Sequence, residues 1–587
     1  MSEQTSQSMA DRGENRSRRP SSTAFRDFIG SGWGPRPSAL PERQPVADYV
    51  GARAQLAGAP FPGERLVIPA GPYKVRSNDC DYRFRAHSAF AHLSGLGGEK
   101  EPDTVLVLEP NDDGTHTPLL FFKPRASRSS KEFYADARYG EFWVGARPSL
   151  EELSAQTGLE TRHIDTLRDA LAKDAGTVQL RIVRGVDTNV EAMVNEVRSQ
   201  AGLPAGEEAR EDDERLEERL SEIRLTKDAF ELEEMVRAVE VTKAGFEDII
   251  RILPRAVGHR RGERVIEGAF RAVAREEGNG EGYETIAASG NHANTLHWID
   301  NDGVVREGDL VLVDAGVEVD SLYTADITRT LPVNGRFTEV QARVYQAVLD
   351  ACEAALARAN EPGCRFKDVH DAAMRVIATR LHEWGILPVT PEESLAPEGQ
   401  QHRRWMPHGT SHHLGLDVHD CAKARDELYK GALLEPGMVF TIEPGLYFRA
   451  DDLLIPEEYR GIGVRIEDDV VVNSDGSVTR ISEDIPRTVA DVEAEPHSET
   501  SPNIPEHPHS AHSGSQRLTA LLMLPRPRHP RRPCPASPPS GSAAALASES
   551  RKTCEGREHA RGQPTCPQDD QHHGARVPQR EIIEITN

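Results

Sequence analysis

Four acidic residues interrupt or end apolar, strand-like runs in the second half of this 587-residue chain. They are Asp314 in "LVLVDAG", Asp326 in "TADITRTLP", Glu443 in "MVFTIEPG" and Glu467 in "GVRIEDD". A charged side chain in a buried strand is costly unless it is paired or bound to a cation. One such residue would mean little, but four of them near strand ends indicate that the fold brings them to a common positive charge.

A cluster of four carboxylates with few neutral ligands favours hard divalent ions such as Mn²⁺, Co²⁺ or Mg²⁺, and it admits Zn²⁺. Two such ions would balance four carboxylates, and two-metal sites are suited to hydrolysis. The alternative is that these are acids at exposed strand edges that form ordinary salt bridges. The charge pattern favours the metal site over this alternative.

The segment "HGTSHHLGLDVHD" packs four histidines into a short stretch. His408 and His412 would share a face if the segment were helical, but a preceding proline and Gly409 disfavour a helix. No glutamate follows His408, so an HExxH zinc helix is excluded. In an extended chain His412 and His413 point to opposite sides, so at most one of them reaches a given site. His297, in "ASGNHANTLHW", is a further candidate, and for each histidine alone the alternative is an ordinary hydrogen-bonded residue.

The bulk composition excludes several classes of protein. The formal net charge of −25 argues against nucleic acid, which calls for a basic surface. The seven cysteines form no CxxC pair, which disfavours a cysteine zinc site or a disulfide scaffold and fits reduced thiols in a cytoplasmic compartment. The N-terminus has no apolar signal-peptide core, and no run of about 20 apolar residues predicts a membrane-spanning helix.

The chain divides into four segments by composition. Residues 1–44 are polar and rich in Ser, Arg and Pro, which predicts a disordered arm. Strand-like and helical patterns alternate over about 45–204, and a highly charged helix follows, so an α/β domain with a linker helix is expected over 45–224. Strands and long helices predict a second domain over 225–492. Pro, Ser and His dominate 493–587, which predicts a disordered tail.

Six segments of the chain together resemble aminopeptidase P, the Xaa-Pro aminopeptidase branch of the pita-bread metallopeptidases. In the family's order they are "SGNHANTLHW", "LVLVDAGVEV", "ADITRTLPVNGRFT", "HGTSHHLGLDVHD", "LEPGMVFTIEPGLYF" and "YRGIGVRIEDDVVV". The resemblance covers about 45–490. It implies an α/β fold class in which a creatinase-like N-terminal α/β domain precedes a pita-bread α+β catalytic domain.

The resemblance implies a centre of two divalent metal ions, usually Mn²⁺ in this family. The five implied ligands are Asp314, Asp326, His412, Glu443 and Glu467. Asp326 and Glu467 would bridge the ions, Asp314 would complete one ion, and His412 with Glu443 would complete the other. Other histidines are implied to line the substrate site without binding metal: His297, His408 and His419.

The resemblance extends to the first domain through "VRSNDCDYRFRAHSAFAHLSGL". It implies that Asp79 reaches the active site and pairs with Arg465, and that Tyr447 joins their hydrogen-bond network. The interval from Asp314 to Asp326 is one residue longer than in bacterial members of the family. We expect the extra residue to be absorbed in the hairpin turn at Asp320.

The implied reaction removes the N-terminal residue from peptides with proline in the second position. A hydroxide bridging the two metals would attack the scissile carbonyl, and Glu443 would pass a proton to the leaving nitrogen. The alternatives are a prolidase, which cleaves Xaa-Pro dipeptides only, and a non-catalytic pita-bread protein that binds peptides. Creatinase works without the five ligands, and methionine aminopeptidase does not share the preceding domain. The expected partners are peptide substrates and a second or further copies of the chain, as a homodimer or homotetramer.

Overall fold

The computed structural model describes residues 22–98 and 100–495. Within these residues an N-terminal domain with a central sheet is followed by a C-terminal domain of smaller sheets and long helices. This arrangement agrees with the expected order of an α/β domain and an α+β domain. In the described part of the chain, no helix is both long and apolar enough to cross a membrane.

The N-terminal domain is built on a five-stranded sheet in the order β6-β5-β4-β1-β7. Its central strands pair antiparallel, whereas the outer strands β6 and β7 pair parallel to their neighbours. The strands of this domain, including a separate β2–β3 hairpin, are β1 (Arg65–Pro69), β2 (Val75–Ser77), β3 (Cys80–Asp81), β4 (Val105–Pro110), β5 (His116–Phe122), β6 (Glu160–His163) and β7 (Leu180–Ile182).

Alternate residues of the central strands enter two separate cores, as the period of a β-strand requires. Leu66 and Ile68 face one core while Val67 between them faces the other. Helices cover both faces of the sheet, so the domain has three layers. The helices are α1 (Thr23–Gly30), α2 (Val50–Gly58), α3 (Ser88–Ser94), α4 (Lys131–Ala135), α5 (Glu141–Val144), α6 (Leu150–Thr157), α7 (Leu167–Ala172), α8 (Thr188–Gln200) and α9 (Arg210–Glu222).

Part of the expected disordered arm is ordered. Residues 22–44 include helix α1 and pack on the N-terminal domain, where the rings of Trp33 and Phe133 meet edge to face at 5.5 Å. The contact between half-exposed Trp33 and buried Phe133 helps to offset the entropy of ordering this polar segment, and composition averaged over the arm hid these few aromatic residues. Residues 1–21, and the expected tail from 496 onward, lie outside the described residues.

The C-terminal domain holds its strands in two three-stranded and two two-stranded sheets. The three-stranded sheets have the orders β12-β10-β9 and β13-β16-β17, and the two-stranded sheets pair β8 with β11 and β14 with β15. The strands are β8 (Gly280–Glu281), β9 (Ile286–Ser289), β10 (Leu310–Ala315), β11 (Val317–Glu318), β12 (Ile327–Pro332), β13 (Val439–Ile442), β14 (Gly445–Tyr447), β15 (Gly463–Arg465), β16 (Asp468–Val472) and β17 (Val478–Arg480).

Two pairs of long helices pack beside these sheets and share one continuous core with them. The first helix of each pair begins at a capping box, with Asp228 or Thr338 as the first residue of the box. The side chain of this residue accepts from the backbone N–H three positions on, and its own backbone N–H donates to the side chain of that later residue. The helices are α10 (Ala229–Ala256), α11 (Gly262–Glu277), α12 (Glu339–Ala359), α13 (Phe366–Glu383), α14 (Pro391–Leu395) and α15 (Val489–Ala494). The apolar faces of these helices pack against the two three-stranded sheets. The acidic residues Asp314, Asp326, Glu443 and Glu467 lie at or near the ends of strands in these sheets.

Candidate metal centre

Antiparallel pairing of β10 with β12 brings the first two carboxylates together. Asp314 in β10 is paired with Thr328, and Asp326 immediately precedes β12. The register of this pairing is continuous from Leu310 to Ala315. Asp326 is therefore in register with Asp314 across this pair, and the position of the extra residue at Asp320 stays a prediction.

The other two carboxylates lie at the ends of a second antiparallel pair. Glu443 follows β13 and Glu467 precedes β16, and these strands pair with Ile442 opposite Asp468. The backbone N–H of Glu467 donates to the carbonyl of Thr328 at 3.1 Å. This bond ties the two strand pairs together at the point where all four acids converge.

The histidine segment is extended rather than helical, as the sequence predicted. The backbone of His412 exchanges bonds with Thr441 of β13, whose N–H donates to the His412 carbonyl at 3.0 Å. His413 points the opposite way and is fully buried against Phe366, with ring centroids 4.6 Å apart. Only His412 of this adjacent pair therefore faces the acids.

One buried site brings five side chains together, and each exposes at most 16% of its surface. They are Asp314, Asp326, His412, Glu443 and Glu467. Ligand atoms lie within 4.8 Å of one another in three overlapping groups. The groups are Asp314, Asp326 and Glu467; His412, Glu443 and Glu467; and Asp326, His412 and His419. Asp326, His412 and Glu467 each belong to two groups, an arrangement that suits two ions sharing ligands.

Burial and mutual repulsion make this cluster electrostatically unfavourable without cations. Burial, reinforced by the other acids, raises the pKa of Glu467 well above its usual range, and burial raises the pKa of Glu443 to about 7 although His412 opposes it. Burial alone would lower the pKa of His412, but Asp326 and Glu443 outweigh it and raise the value to about 9. Two divalent cations would relieve this repulsion, so the residues fit the metal centre that the donor set suggests.

Tyr283, which the sequence analysis did not single out, contacts both aspartates of the β10–β12 pair. The hydroxyl of Tyr283 lies 2.7 Å from Asp314 Oδ1 and 2.5 Å from Asp326 Oδ1. A hydroxyl carries one proton, so the two carboxylates share a single donor. Thr328, also missed, donates its hydroxyl to Glu467 Oε2 at 2.7 Å. Both hydroxyls hold carboxylates of the cluster in place, although neither residue is one of the five that converge.

Arg465 connects the acids to a network that contains Tyr447 and His408. Its guanidinium donates to Asp314 Oδ2 at 2.6 Å and to the Tyr447 hydroxyl at 3.0 Å. His408 Nδ1 lies 2.6 Å from the Gly409 carbonyl, which can only accept, so Nδ1 carries the proton and Nε2 accepts from Tyr447 at 2.7 Å. The geometry therefore fixes the neutral tautomer of His408 beside Glu443, at 3.5 Å.

The pairing of Asp79 with Arg465 stays a prediction. Asp79 lies in the exposed turn of the β2–β3 hairpin. Arg465 forms an ion pair with Asp314 in the C-terminal domain, and its Nε donates to Thr328 at 3.0 Å.

The remaining two histidines lie at the open side of the cluster. The rings of His419 and His412 meet at 4.3 Å, and His297 lies within electrostatic range of His419. The loop that carries His297 is anchored by Glu263, a fully buried carboxylate that accepts from Ser289 N, His292 Nδ1, Trp298 Nε1 and Gly303 N. Glu263 was not predicted because its sequence context is that of an ordinary helix start.

Comparisons with known proteins agree with this site. The model of the family described as "Aminopeptidase P, N-terminal domain" matches residues 49–182, and that of "Metallopeptidase family M24" matches residues 233–474. Xaa-Pro aminopeptidase 1 of Streptomyces coelicolor is 49% identical over 465 residues, covering 79% of this chain and 90% of that protein. This chain belongs to the Xaa-Pro aminopeptidase family. The resemblance stated from the sequence is thereby confirmed.

Solved structures of this family share the fold. A variant of Escherichia coli aminopeptidase P in complex with substrate is 30% identical, with a TM-score of 0.65, and the match covers 78% of this chain and 98% of that chain. Zinc-substituted E. coli aminopeptidase P in complex with product is 31% identical, with a TM-score of 0.65 and coverage of 77% and 98%. The expected fold class, a creatinase-like α/β domain followed by a pita-bread catalytic domain, is confirmed.

Replacement of Tyr283 by phenylalanine tests the contribution of the missed hydroxyl. We expect kcat/KM to fall roughly tenfold, the lower end of the effect seen when residues that orient metal ligands are removed. Tyr345→Phe is the matched control, because Tyr345 is also buried and its hydroxyl donates once, to the Arg487 carbonyl, away from the acids. Equal activity of the two variants would contradict a role for Tyr283 at the centre.

Proposed function

We propose that this protein is a metal-dependent aminopeptidase that releases the N-terminal residue from peptides with proline in the second position. The observation that carries this proposal is the buried convergence of Asp314, Asp326, His412, Glu443 and Glu467. Such an arrangement of acids has a clear chemical use only when it holds cations. The names of the similar proteins support the same substrate class.

The five convergent residues are proposed as ligands of two divalent ions, with Asp326 and Glu467 shared between them. Bound ions of this kind lower the pKa of a water molecule and polarise the carbonyl of the scissile bond. The donor set of carboxylate oxygens with one imidazole favours Mn²⁺ and accommodates Co²⁺ or Zn²⁺.

Glu443 is proposed to carry a proton to the leaving group. An Xaa-Pro bond is a tertiary amide, so the departing proline nitrogen must gain a proton before it leaves. The Glu443 carboxylate would take a proton from the attacking water molecule and pass it to that nitrogen. The His408 ring lies beside this carboxyl, with Nδ1 3.5 Å from Glu443 Oε2.

Three histidines and an arginine network are proposed to position the substrate. His419 and His297 are proposed to offer ring nitrogens to peptide carbonyls. His408, whose two ring nitrogens are bonded to Gly409 and Tyr447, is proposed to position the peptide by contact with its ring. Arg465 and Tyr447 hold His408 in a single tautomer. Because these groups lie on one side of the acids, the free amine of the substrate would lie near the carboxylates and the peptide would extend towards the histidines.

We also propose domain limits, a native metal ion, a cellular location and an oligomeric state for this protein. We infer domain limits of 45–224 and 225–492, which enclose the two regions matched by the family models. Mn²⁺ as the native ion, a cytoplasmic location and a homodimer or homotetramer follow from the family resemblance and the composition.

An activity panel tests the proposed function. Xaa-Pro dipeptides, Xaa-Pro-Pro tripeptides and the same tripeptides with a blocked N-terminus would be assayed with Mn²⁺, Co²⁺ and Zn²⁺. We expect release of the first residue from unblocked tripeptides, with the highest rate in Mn²⁺. Cleavage of dipeptides alone would establish a prolidase instead, and metal binding without cleavage of any peptide would establish a non-catalytic peptide-binding protein.

A further inference from the structure

A tight turn precedes the proposed bridging ligand Asp326. The 319–323 turn links β11 to the start of β12, and Val319 N donates to the Tyr323 carbonyl at 2.9 Å. Leu322 within it has a φ of +74° and is fully buried. A non-glycine residue rarely keeps this conformation unless its surroundings enforce it. The turn is therefore held by what packs around it.

The N-terminal domain is in close contact with this turn through Gly97. A Cβ atom added at Gly97 would lie 2.4 Å from the Asp320 carbonyl oxygen and 2.8 Å from Ser321 Cα. These are backbone atoms, so no side chain could move aside to make room. The loop after α3 therefore contacts the turn closely enough that only glycine fits.

A buried polar network makes a second connection between the same two parts of the protein. The Tyr323 hydroxyl donates to Glu231 Oε1 at 2.8 Å. The same carboxylate faces two groups of the N-terminal domain, His92 Nε2 at 3.5 Å and Arg53 at 3.8 Å. All four residues are at most 3% exposed. Only the Tyr323 contact is a hydrogen bond, and the two longer contacts are electrostatic. The buried Glu231 carboxylate therefore depends on the nearby charge of Arg53, because a buried charge without a partner is costly.

Backbone bonds continue from the turn to the ligand. The N–H of Thr324 donates to the Gly415 carbonyl at 3.0 Å, and that of Ala325 to the Val317 carbonyl at 3.2 Å. The N–H of Asp326 itself donates to Asp469 Oδ2 at 3.1 Å. Only Thr324 and Ala325 separate Tyr323 from Asp326, so a displacement of the turn must either break one of these backbone bonds or move the Asp326 backbone.

We propose that the N-terminal domain holds Asp326 in its ligating position through the 319–323 turn, with Gly97, Tyr323 and Glu231 as positioning residues for the metal centre. This inference rests on the proposed role of Asp326 as a ligand. It gives the N-terminal domain a function in metal binding that does not depend on any of its own side chains reaching the metal site.

Two single substitutions test this proposal from opposite sides of the contact. Gly97→Ala pushes on the turn from the N-terminal domain, and Tyr323→Phe removes the bond to Glu231 from within the turn. We expect each to weaken Mn²⁺ binding roughly tenfold, measured by titration calorimetry on the full-length metal-free protein. We expect kcat at saturating Mn²⁺ to stay within about twofold of the parent, because excess ion restores occupancy of the centre.

Matched controls separate positioning from general destabilisation. Gly51→Ala adds a methyl group in α2 where nothing lies within 4 Å, and Tyr345→Phe removes an equally buried hydroxyl bond far from the turn. Both are expected to bind Mn²⁺ like the parent. Hydrogen exchange of residues 319–327 in the metal-free protein should rise in the two test variants and remain unchanged in the controls.

Parent-like Mn²⁺ affinity in both test variants would overturn the proposal, as would a lower melting temperature with unchanged affinity, which would indicate domain packing alone. Failure of the proposed function would look different, because an Asp326→Ala variant would then still bind two ions. Weakened binding in Gly97→Ala together with loss of one ion in Asp326→Ala supports both inferences.

Discussion

Replacement of Asp326 by alanine is expected to lower kcat/KM on an unblocked Xaa-Pro-Pro peptide by about three orders of magnitude with saturating Mn²⁺. Asp326 belongs to two of the three groups of convergent ligand atoms, so its removal disturbs both proposed ion positions. Ions in such sites supply several kcal/mol of transition-state stabilisation, and each 1.36 kcal/mol corresponds to a tenfold change in rate. Steady-state kinetics and metal analysis of the purified variant measure the two effects together.

Asp112→Ala is the matched control for this substitution. Asp112 is an exposed aspartate in the turn between β4 and β5 of the N-terminal domain, and its side chain lies outside the cluster. Its replacement should leave both kinetics and metal content unchanged. Retention of most activity by Asp326→Ala, with a circular dichroism spectrum like that of the parent, would contradict the two-metal assignment.

Much of the site was predictable because buried charge is rare and costly. Asp314 and Glu443 stand out in apolar runs, and the cost of burying them requires a compensating charge wherever the strands lie. Gly409 was equally informative, since it favours an extended segment in which His412 and His413 face opposite sides. These inferences use only local backbone preferences and burial, which a sequence displays directly.

The missed residues depend on contacts between distant segments. Tyr283 is one tyrosine in "GEGYETIAAS", and nothing local distinguishes it from a core residue. Its hydroxyl reaches Asp314 and Asp326 only because the paired strands β8 and β11 and the pair β10–β12 meet at this point. The contact of Arg465 with Asp314 likewise joins segments that are 151 residues apart in the chain.

The dissociation constant for Mn²⁺ is expected to fall about tenfold per pH unit between pH 7 and pH 9. In the metal-free protein burial acts to lower the pKa of His412, but Asp326 and Glu443 raise it to about 9, so the imidazole is protonated across this range. An ion that takes the Nε2 lone pair must displace that proton, and the loss of one proton changes binding by 1.36 kcal/mol per pH unit. Protons compete more strongly at low pH, so affinity rises with pH and levels off above about 9.

Below pH 7 the dependence should steepen. Burial raises the pKa of Glu443 to about 7, so this carboxyl gains a proton in the metal-free protein there, and a second proton must leave when the ion binds. Calorimetry at pH 8 in two buffers with different ionisation enthalpies should count at least one proton released per binding event, that of His412. The control is His370→Gln, because burial, with a smaller contribution from Arg403, lowers the pKa of His370 to about 4 and the ring is already neutral. An affinity that does not vary between pH 7 and pH 9 would contradict the displacement of a proton from His412 by the bound ion.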